Sequence, residues 1–297
     1  MNNIEIFNNT QNLIQTNPRL YQLTVEAINN TYIIDEGFSV NKQFFQSKEK
    51  DAYILFEENL TLRSAAEWVD KGYKTAVLNF ANPLEPGGGV LRGANAQEEC
   101  LCRASNLYNC LASTRVKSYY EQHNDLLTLN KTNDLFLGTD KIIYSPGITF
   151  FKEDIGFSKG STKYFEQVYT EHWRNIDVIT CGAPFFRTVE NRLPDGDLYH
   201  LFCRRIRNIF EAAVYNNIDV LVLGAFGCGA FHNNPYVVAN AMRDVMSHYI
   251  SYFSAIIFPI KRSAKYCENI RAFDIVFGIY PQYRIVSEED LKKGNIK

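Results

Sequence analysis

Residues 75–99 read TAVLNFANPLEPGGGVLRGANAQEE, and this stretch decides the fold. It opens with TAVLNF, a short and mostly apolar run that is typical of a strand buried on both faces. Prolines and three consecutive glycines follow, and the stretch ends where the sequence predicts a helix over residues 96–112. A buried strand, a glycine-rich loop and a helix in this order favour a layered α/β domain with a mainly parallel sheet.

The same order recurs further along the chain, where the run IDVLVL (residues 218–223) precedes GAFGCGAFHNNP. Other apolar runs predict strands over residues 52–56, 141–144, 177–181, 255–260 and 274–278. The predicted helices cover most of residues 1–30 and residues 61–69, 198–215, 236–249 and 264–273. The polar residues 118–140 indicate a long connection or insertion. In parallel sheets, ligands bind beyond the carboxyl ends of the strands, which is where both glycine-rich segments fall.

These elements predict one domain over residues 1–297. A mainly helical N-terminal extension is expected over residues 1–70 and a catalytic core over residues 71–280. Asn17 is expected to cap the second helix of the extension, since Pro18 is tolerated at a first helical position.

Composition excludes several classes of protein. The 297 residues carry 31 Lys and Arg against 33 Asp and Glu, a net charge of -2, whereas duplex nucleic-acid binding normally shows as a basic excess. The seven cysteines form no Cys-x-x-Cys pair, so no metal site is predicted. The N-terminus lacks the features of a signal peptide, and no apolar run is long enough to span a membrane. We expect a soluble, cytoplasmic protein without a membrane partner.

The triple-glycine loop, residues 82–95, is a candidate ligand loop. Gly87, Gly88 and Gly89 permit positive φ angles and let a ligand approach the backbone, whose successive N–H groups can bind an anion. The alternative is a tight strand-to-helix connection without a ligand. The loop is neither an NTPase loop nor a dinucleotide fingerprint, because Gly-Lys-Ser/Thr and Gly-x-Gly-x-x-Gly are both absent.

Gln97, Glu98 and Glu99 follow this loop at the start of the predicted helix. Asn95 as an N-cap with Glu98 at the third helical position would form a capping box. Consecutive helical residues point about 100° apart, so both glutamates cannot serve the cap. The other glutamate can face a ligand held by the glycines.

The second loop, residues 224–235, begins where the IDVLVL strand ends. Its three glycines, with Phe226 and Phe231, fit a phosphate-binding loop with a stacking surface; the alternative is a plain strand–turn–helix. His232 is expected to be a surface or packing residue rather than a base. Asn233 or Asn234 can cap the helix that begins at Pro235. Two such loops at neighbouring strand ends indicate a ligand with a diphosphate flanked by sugars or bases.

Taken together, these motifs resemble the microbial-type poly(ADP-ribose) glycohydrolases, a macrodomain-related family. The signature of that family is three glycines, six to eight residues and Gln-Glu-Glu, and the sequence here reads GGG-VLRGANA-QEE. Residues 80–82, Phe-Ala-Asn, are similar to the segment before the glycines in the animal-type enzymes, and GAFGCGAFHNNP is similar to the family's second phosphate loop. The segments IIYSPGITFFKED, ITCGAP and IVFGI also match the family pattern.

The resemblance implies a macrodomain-like fold, with a mixed, mainly parallel sheet between helices. It also implies hydrolysis of the ribose–ribose O-glycosidic bonds of poly(ADP-ribose) to release ADP-ribose, with no metal or organic cofactor. By position, Glu99 matches the catalytic acid, Glu98 the residue that holds ribose hydroxyls, and Phe231 the aromatic ring against the terminal ribose. The expected substrate-binding residues are Asn82, Gly87, Gly88, Gly89, Gln97, Gly227, Cys228, Gly229, Ala230 and Phe231.

Neighbouring glutamates on one helix cannot flank a scissile bond as paired glycosidase carboxylates do. We therefore expect a single acid, with the substrate's own diphosphate stabilising the cation. The expected partners are poly(ADP-ribose) or ADP-ribosylated macromolecules, without sequence-specific nucleic-acid binding, and the chain is expected to be a monomer. Two alternatives stay open: a non-catalytic reader of ADP-ribose, and a hydrolase of mono-ADP-ribosylated protein or nucleic acid. The intact Gln-Glu-Glu favours the polymer-cleaving enzyme.

Overall fold

The computed structural model describes residues 2–129, 135–153, 166–186, 188, 191–261, 267–278 and 285–286. The helices in these ranges are α1 (Asn3–Thr16), α2 (Pro18–Asn30), α3 (Thr61–Asp70), α4 (Gln97–Ala104), α5 (Leu107–Leu111), α6 (Lys117–Leu129), α7 (Asp195–Tyr215), α8 (Pro235–Met246) and α9 (Cys267–Gly278). The strands are β1 (Tyr32–Ile34), β2 (Tyr53–Glu57), β3 (Thr75–Ala81), β4 (Leu135–Phe136), β5 (Ile142–Phe150), β6 (Arg174–Gly182), β7 (Phe185–Phe186), β8 (Val220–Val222), β9 (Ala255–Pro259) and β10 (Ile285–Val286).

Eight strands form one sheet in the order β1-β5-β6-β3-β8-β9-β2-β10. Every neighbouring pair from β6 to β10 is parallel, and β5 runs antiparallel to both β1 and β6. The strands β4 and β7 form a separate antiparallel pair. The mixed, mainly parallel sheet expected from the sequence is confirmed.

Helices cover both faces of this sheet, which explains why the central strands are apolar on both sides. Along β3, Val77 packs into a cluster with residues of α3, α4 and α5. Its neighbours Ala76 and Leu78 point to the opposite face and pack with residues of α7, α8 and α9. Successive side chains of a strand alternate between faces, so the TAVLNF run supplies both halves of the core.

The N-terminal helices form as the sequence predicts. The side chain of Asn17 accepts a hydrogen bond from the Leu20 N–H, and Pro18 is the first residue of α2. Residues before position 71 also supply β1 and β2 to the main sheet, so this segment is part of the sheet as well as a helical extension. The division at residue 70 and the single-domain organisation stay predictions. In the described residues, no helix has the length and apolar character that crossing a membrane requires.

Three element predictions are wrong. Most of the stretch 118–140, expected to be a connection, is helix α6, whose Tyr119, Tyr120 and His123 are buried. Because these three side chains carry polar atoms, the buried face of α6 cannot be recognised as an apolar stripe in the sequence. The helix expected over 96–112 is two helices, because Ser105 between them has an extended backbone.

The final helix and strand, expected over residues 264–273 and 274–278, are instead one helix. Helix α9 continues to Gly278, and Phe273, Val276 and Phe277 share its buried face. Residues 264–266 lie outside the described ranges. Val276 and Phe277 follow Phe273 by three and four residues, which is the spacing of one helix face. The run IVF (residues 275–277), however, has the composition of a strand.

Candidate active site

A cleft of about 470 Å³ lies at the carboxyl ends of four neighbouring strands. Its lining includes Asn59 after β2, Asn82 after β3, Ala225 after β8 and Lys261 after β9. The first turn of α4 forms a further wall. The second glycine-rich segment and the two ends of the first, Asn82 and Asn95, line this cavity at the edge of the sheet where the sequence predicts a ligand, whereas Gly87, Gly88 and Gly89 are not among its lining residues.

Glu99 lies in this wall and is almost completely buried. Its Oε2 atom accepts a hydrogen bond of 2.9 Å from the Ala96 N–H, and its Oε1 atom accepts one of 2.8 Å from the Gly89 N–H. Glu99 thus caps α4 and is fixed against the triple-glycine loop. The expected capping box of Asn95 and Glu98 is wrong, because the N-cap is Ala96, one residue later.

Glu98 is buried beside it, and different groups hold its carboxyl. The Asn82 N–H donates to Oε2 at 2.8 Å, and the Asn79 side-chain amide donates to Oε1 at 3.2 Å. Burial raises the pKa of Glu98 to about 8, although both hydrogen bonds act in the opposite direction. Glu98 therefore tends to keep its proton at neutral pH.

The triple-glycine loop makes room for these two carboxyl groups. Gly88 has a φ of +58°, and a Cβ atom on it would lie 2.6 Å from Glu99 Oε1 and 2.8 Å from Glu98 Oε2. The Gly89 N–H already donates to Glu99, and the Gly88 N–H donates to the Glu85 carbonyl. The expectation that these N–H groups bind an anion is therefore corrected for Gly88 and Gly89. Gly87 also has a positive φ, and its Cβ would lie 2.8 Å from the Tyr108 ring.

Gln97 and Asn82 both line the cleft, but their side-chain oxygens bond within the chain. Gln97 accepts from the Phe80 N–H at 2.9 Å and donates to the Leu78 carbonyl at 2.7 Å, which joins α4 to the end of β3. The Asn82 side chain accepts from the Leu84 N–H at 2.9 Å. The structure thus shows a bracing role for both residues.

In the second loop, Gly227, Gly229, Ala230 and Phe231 line the cleft. Gly227 has a φ of +74°, and a Cβ on it would lie 2.6 Å from that of Ala183, so only glycine fits there. Phe231 is half-buried and lines the cavity. Cys228 is buried and does not belong to the cleft lining.

The two other residues singled out in this loop do not serve the cleft as stacking or acid–base groups. Phe226 is fully buried between Phe80 and Phe202, so the expectation that it stacks on a ligand is wrong. His232 is exposed, in agreement with a surface residue. Asn234 caps α8 by accepting from the Tyr236 N–H.

Asn79 is a site residue that the sequence analysis does not name. It is fully buried on β3, and its amide donates both to Glu98 and to the Thr180 hydroxyl, each at 3.2 Å. Buried polar side chains are normally hydrogen-bonded. An asparagine inside the apolar run TAVLNF was therefore the signal that something polar lies beneath the strand end.

In the part of the chain that the structure describes, no group of three or more His, Cys, Asp or Glu side chains could hold a metal ion. The cysteines with described side chains, Cys100, Cys102, Cys110, Cys181, Cys203 and Cys228, are free thiols.

The chain is similar to known proteins in both sequence and structure. The family model of the microbial-type PARG (poly(ADP-ribose) glycohydrolase) catalytic domain matches residues 3–153. This match includes the triple-glycine loop and both glutamates. A comparison with curated protein sequences gave no match.

Solved structures of bacterial enzymes match almost the whole chain. The poly(ADP-ribose) glycohydrolase of Thermomonospora curvata is 25% identical in sequence and matches with a TM-score of 0.73. The match covers 93% of this chain and 99% of that enzyme's chain. Its complex with the inhibitor ADP-HPD matches with a TM-score of 0.72. The poly(ADP-ribose) glycohydrolase of Deinococcus radiodurans in complex with ADP-ribose is 25% identical in sequence and matches with a TM-score of 0.68. The match covers 86% of this chain and 97% of that enzyme's chain.

Proposed function

The chain belongs to the microbial-type poly(ADP-ribose) glycohydrolase family, and on this premise we propose how it works as a glycosidase. It hydrolyses ribose–ribose O-glycosidic bonds of poly(ADP-ribose) and releases ADP-ribose. The observation that carries this proposal is the pair of buried glutamates, Glu98 and Glu99, fixed in the wall of a cleft at the strand ends. A protein that only binds ADP-ribose has no need for two buried carboxyl groups there.

Glu99 is the general acid that protonates the leaving ribose oxygen. Two backbone N–H groups fix its carboxyl, and each carboxylate oxygen can accept more than one hydrogen bond, so it can still contact the substrate. The adjacent Glu98 retains a proton at neutral pH because burial raises its pKa to about 8.

The described acidic residues of the cleft lining are these two neighbours on one turn of α4. A second carboxylate on the opposite side of the sugar is therefore not part of the described cleft, unlike in glycosidases with paired carboxylates. We assign the stabilisation of the sugar cation to the substrate's own diphosphate. Gly227, Gly229 and Ala230 border that diphosphate, and the Phe231 ring packs on the terminal ribose.

Poly(ADP-ribose) and ADP-ribosylated macromolecules are the partners in this proposal. The chain acts on them as a cytoplasmic monomer, without a metal or an organic cofactor and without reading a nucleic-acid sequence.

Product analysis tests the proposed function. The purified chain is incubated with poly(ADP-ribose), and the soluble products are separated by chromatography. Release of ADP-ribose supports the proposal. Binding of the polymer without release would make the protein a reader, and release only from mono-ADP-ribosylated protein or nucleic acid would change the substrate.

A further inference from the structure

A buried asparagine in the lining of the cleft makes no hydrogen bond within the described chain. Asn269 lies in the first turn of α9, lines the cleft and is only 8% exposed. Among the residues that the structure describes, none accepts a hydrogen bond from its amide or donates one to it. Buried polar side chains are normally hydrogen-bonded, so the amide of Asn269 is a polar group that a ligand in the cleft would satisfy.

Asn269 differs in this respect from the other amide side chains of the cleft lining. Each of those bonds within the chain, and they belong to Asn59, Asn82, Asn95 and Gln97. Their hydrogen bonds hold the loops after the strands and the start of α4 in place. Asn269 has no such described contact, so its amide is available to a ligand without breaking a hydrogen bond of the fold.

The order of the strands indicates which part of a bound ADP-ribose unit lies near Asn269. The parallel strands that end at the cleft follow one another as β3, β8, β9 and β2, and neighbouring strands are about 4.8 Å apart. This inference rests on the proposed function, in which the terminal ribose lies at the two glutamates, beside the end of β3, and the diphosphate lies at the loop after β8. The second ribose and the adenine then extend over the ends of β9 and β2.

Asn269 and a set of apolar side chains belong to this part of the cleft. Helix α9 follows β9 in the chain, and the Ile260 N–H donates to the Glu57 carbonyl at 2.8 Å, which joins the end of β9 to the end of β2. Ile260 and Leu60 line the cleft after these two strands. They offer an apolar surface to the faces of a base, whereas Asn269 offers a polar group to its edge.

We propose that Asn269 recognises the adenine of the bound ADP-ribose unit through the 6-amino group of the base. An asparagine amide carries one acceptor and one donor group. Adenine presents an amino donor beside a ring-nitrogen acceptor, and asparagine pairs with this pattern when it recognises adenine in nucleic acids. A ligand without the amino group leaves the amide oxygen of Asn269 buried and unpaired, and a site of this kind rejects such a ligand.

A thermodynamic cycle between ligand and residue tests this inference. Calorimetry measures the Kd of ADP-ribose, and of its purine analogue that lacks only the 6-amino group, for wild type and for Asn269→Leu. We expect wild type to bind the analogue about tenfold more weakly than ADP-ribose. Asn269→Leu should bind ADP-ribose about tenfold more weakly than wild type does, and it should bind both ligands equally.

Asn240→Leu is the matched control. Asn240 lies on the neighbouring helix α8, is half-buried, and is not among the cleft-lining residues. Its amide donates to the Tyr236 carbonyl of the same helix. The Asn240→Leu protein should therefore prefer ADP-ribose over the analogue as strongly as wild type does.

A wild type that binds both ligands equally would overturn this inference, and this comparison does not require any variant to fold. An Asn269→Leu protein that keeps the preference for the amino group, or an Asn240→Leu protein that loses it, also overturns the inference. The cycle involves no turnover, so any of these results, beside release of ADP-ribose from poly(ADP-ribose) by wild type, leaves the proposed function intact. A wild type that binds ADP-ribose but cleaves no polymer overturns the proposed function instead.

Discussion

At the scale of the residue, Gly88 stands where no side chain fits. A Cβ there would lie within 3 Å of a carboxyl oxygen of both Glu98 and Glu99, so Gly88→Ala must displace both carboxyl groups. We expect kcat to fall by about 10²-fold, because small displacements of catalytic groups have effects of this size. Gly72→Ala is the control, since Gly72 also has a positive φ but has nothing within 4 Å of its Cβ position. Equal kcat losses in the two variants would show that backbone strain, not the carboxyl contact, is responsible.

The raised pKa of Glu98 predicts that the stability of the folded chain depends on pH. The folded state raises its pKa from 4.5 to about 8, so between these pH values the folded chain holds a proton that the unfolded chain has released. The contribution of Glu98 to the free energy of unfolding is therefore fully present below pH 4.5 and is lost as the pH rises to about 8. In Glu98→Gln the loss is absent, so Tm of the variant relative to wild type should rise steadily between pH 5 and pH 8. The same change at the exposed Glu67 is the control, and a difference that does not vary with pH would contradict the assignment.

The sequence predicted the two glutamates as a pair but not which of them caps the helix. If the helix begins one residue later, its third position is Glu99 instead of Glu98. The sequence allows both starts, because Asn95 and Ala96 each precede a glutamate by three residues. The asparagine within TAVLNF indicates a buried polar contact, but nothing in the sequence shows that its partner is the side chain 19 positions away. Such pairings depend on how α4 packs on β3.

At the scale of the element, α1 supports α4, the helix that carries Glu98 and Glu99. The Thr10 hydroxyl donates to the Arg103 carbonyl in the last turn of α4 at 2.6 Å, and the buried Lys152 ammonium donates to Thr10 at 2.8 Å. At the N-terminus of α1, the Asn3 amide donates to the Gly93 carbonyl in the triple-glycine loop at 3.0 Å. One helix therefore holds both ends of the segment that presents Glu98 and Glu99.

Thr10→Val removes this link while keeping the shape of the side chain. We expect kcat to fall by about tenfold, with the Kd for ADP-ribose unchanged and with activity restored in Thr10→Ser. Thr16→Val on the same helix is the control, because the Thr16 hydroxyl is exposed and bonds only within α1. Kinetics and circular dichroism of the three variants check this, and a Thr10→Val enzyme as active as Thr16→Val would show that α1 is a passive extension.

The sheet and most helices could be predicted because their apolar runs and capping residues are local. The failures at α6 and α9 have a physical cause. Tyr119, Tyr120 and His123 are buried with their polar atoms, so α6 lacks an apolar stripe in the sequence. In α9, which packs on α8, the strand-favouring residues Phe273, Val276 and Phe277 are buried, and tertiary contacts override local propensity.

At the scale of the whole molecule, four parallel strands end at one cleft, and the mechanism proposed for it needs only proton transfer and charge stabilisation. The described residues offer no cluster of metal ligands. We therefore expect EDTA to leave the hydrolysis of poly(ADP-ribose) unchanged. A large loss of activity that Mg²⁺ or Zn²⁺ restores would instead move the protein toward metal-dependent ADP-ribosyl hydrolases.

The most direct test of the mechanism compares wild type and Glu99→Gln for ADP-ribose release from poly(ADP-ribose) and for ADP-ribose affinity. Glutamine can replace the shape of Glu99 but cannot supply a proton. Loss of a positioned general acid lowers the rate by about 10²–10⁴-fold, and we expect the upper end because the described cleft has no carboxylate on the opposite side. ADP-ribose affinity should stay within a small factor of wild type. A Glu99→Gln enzyme that keeps more than roughly a tenth of wild-type turnover would contradict the mechanism, and if Glu98→Gln is then inactive, the acid is Glu98.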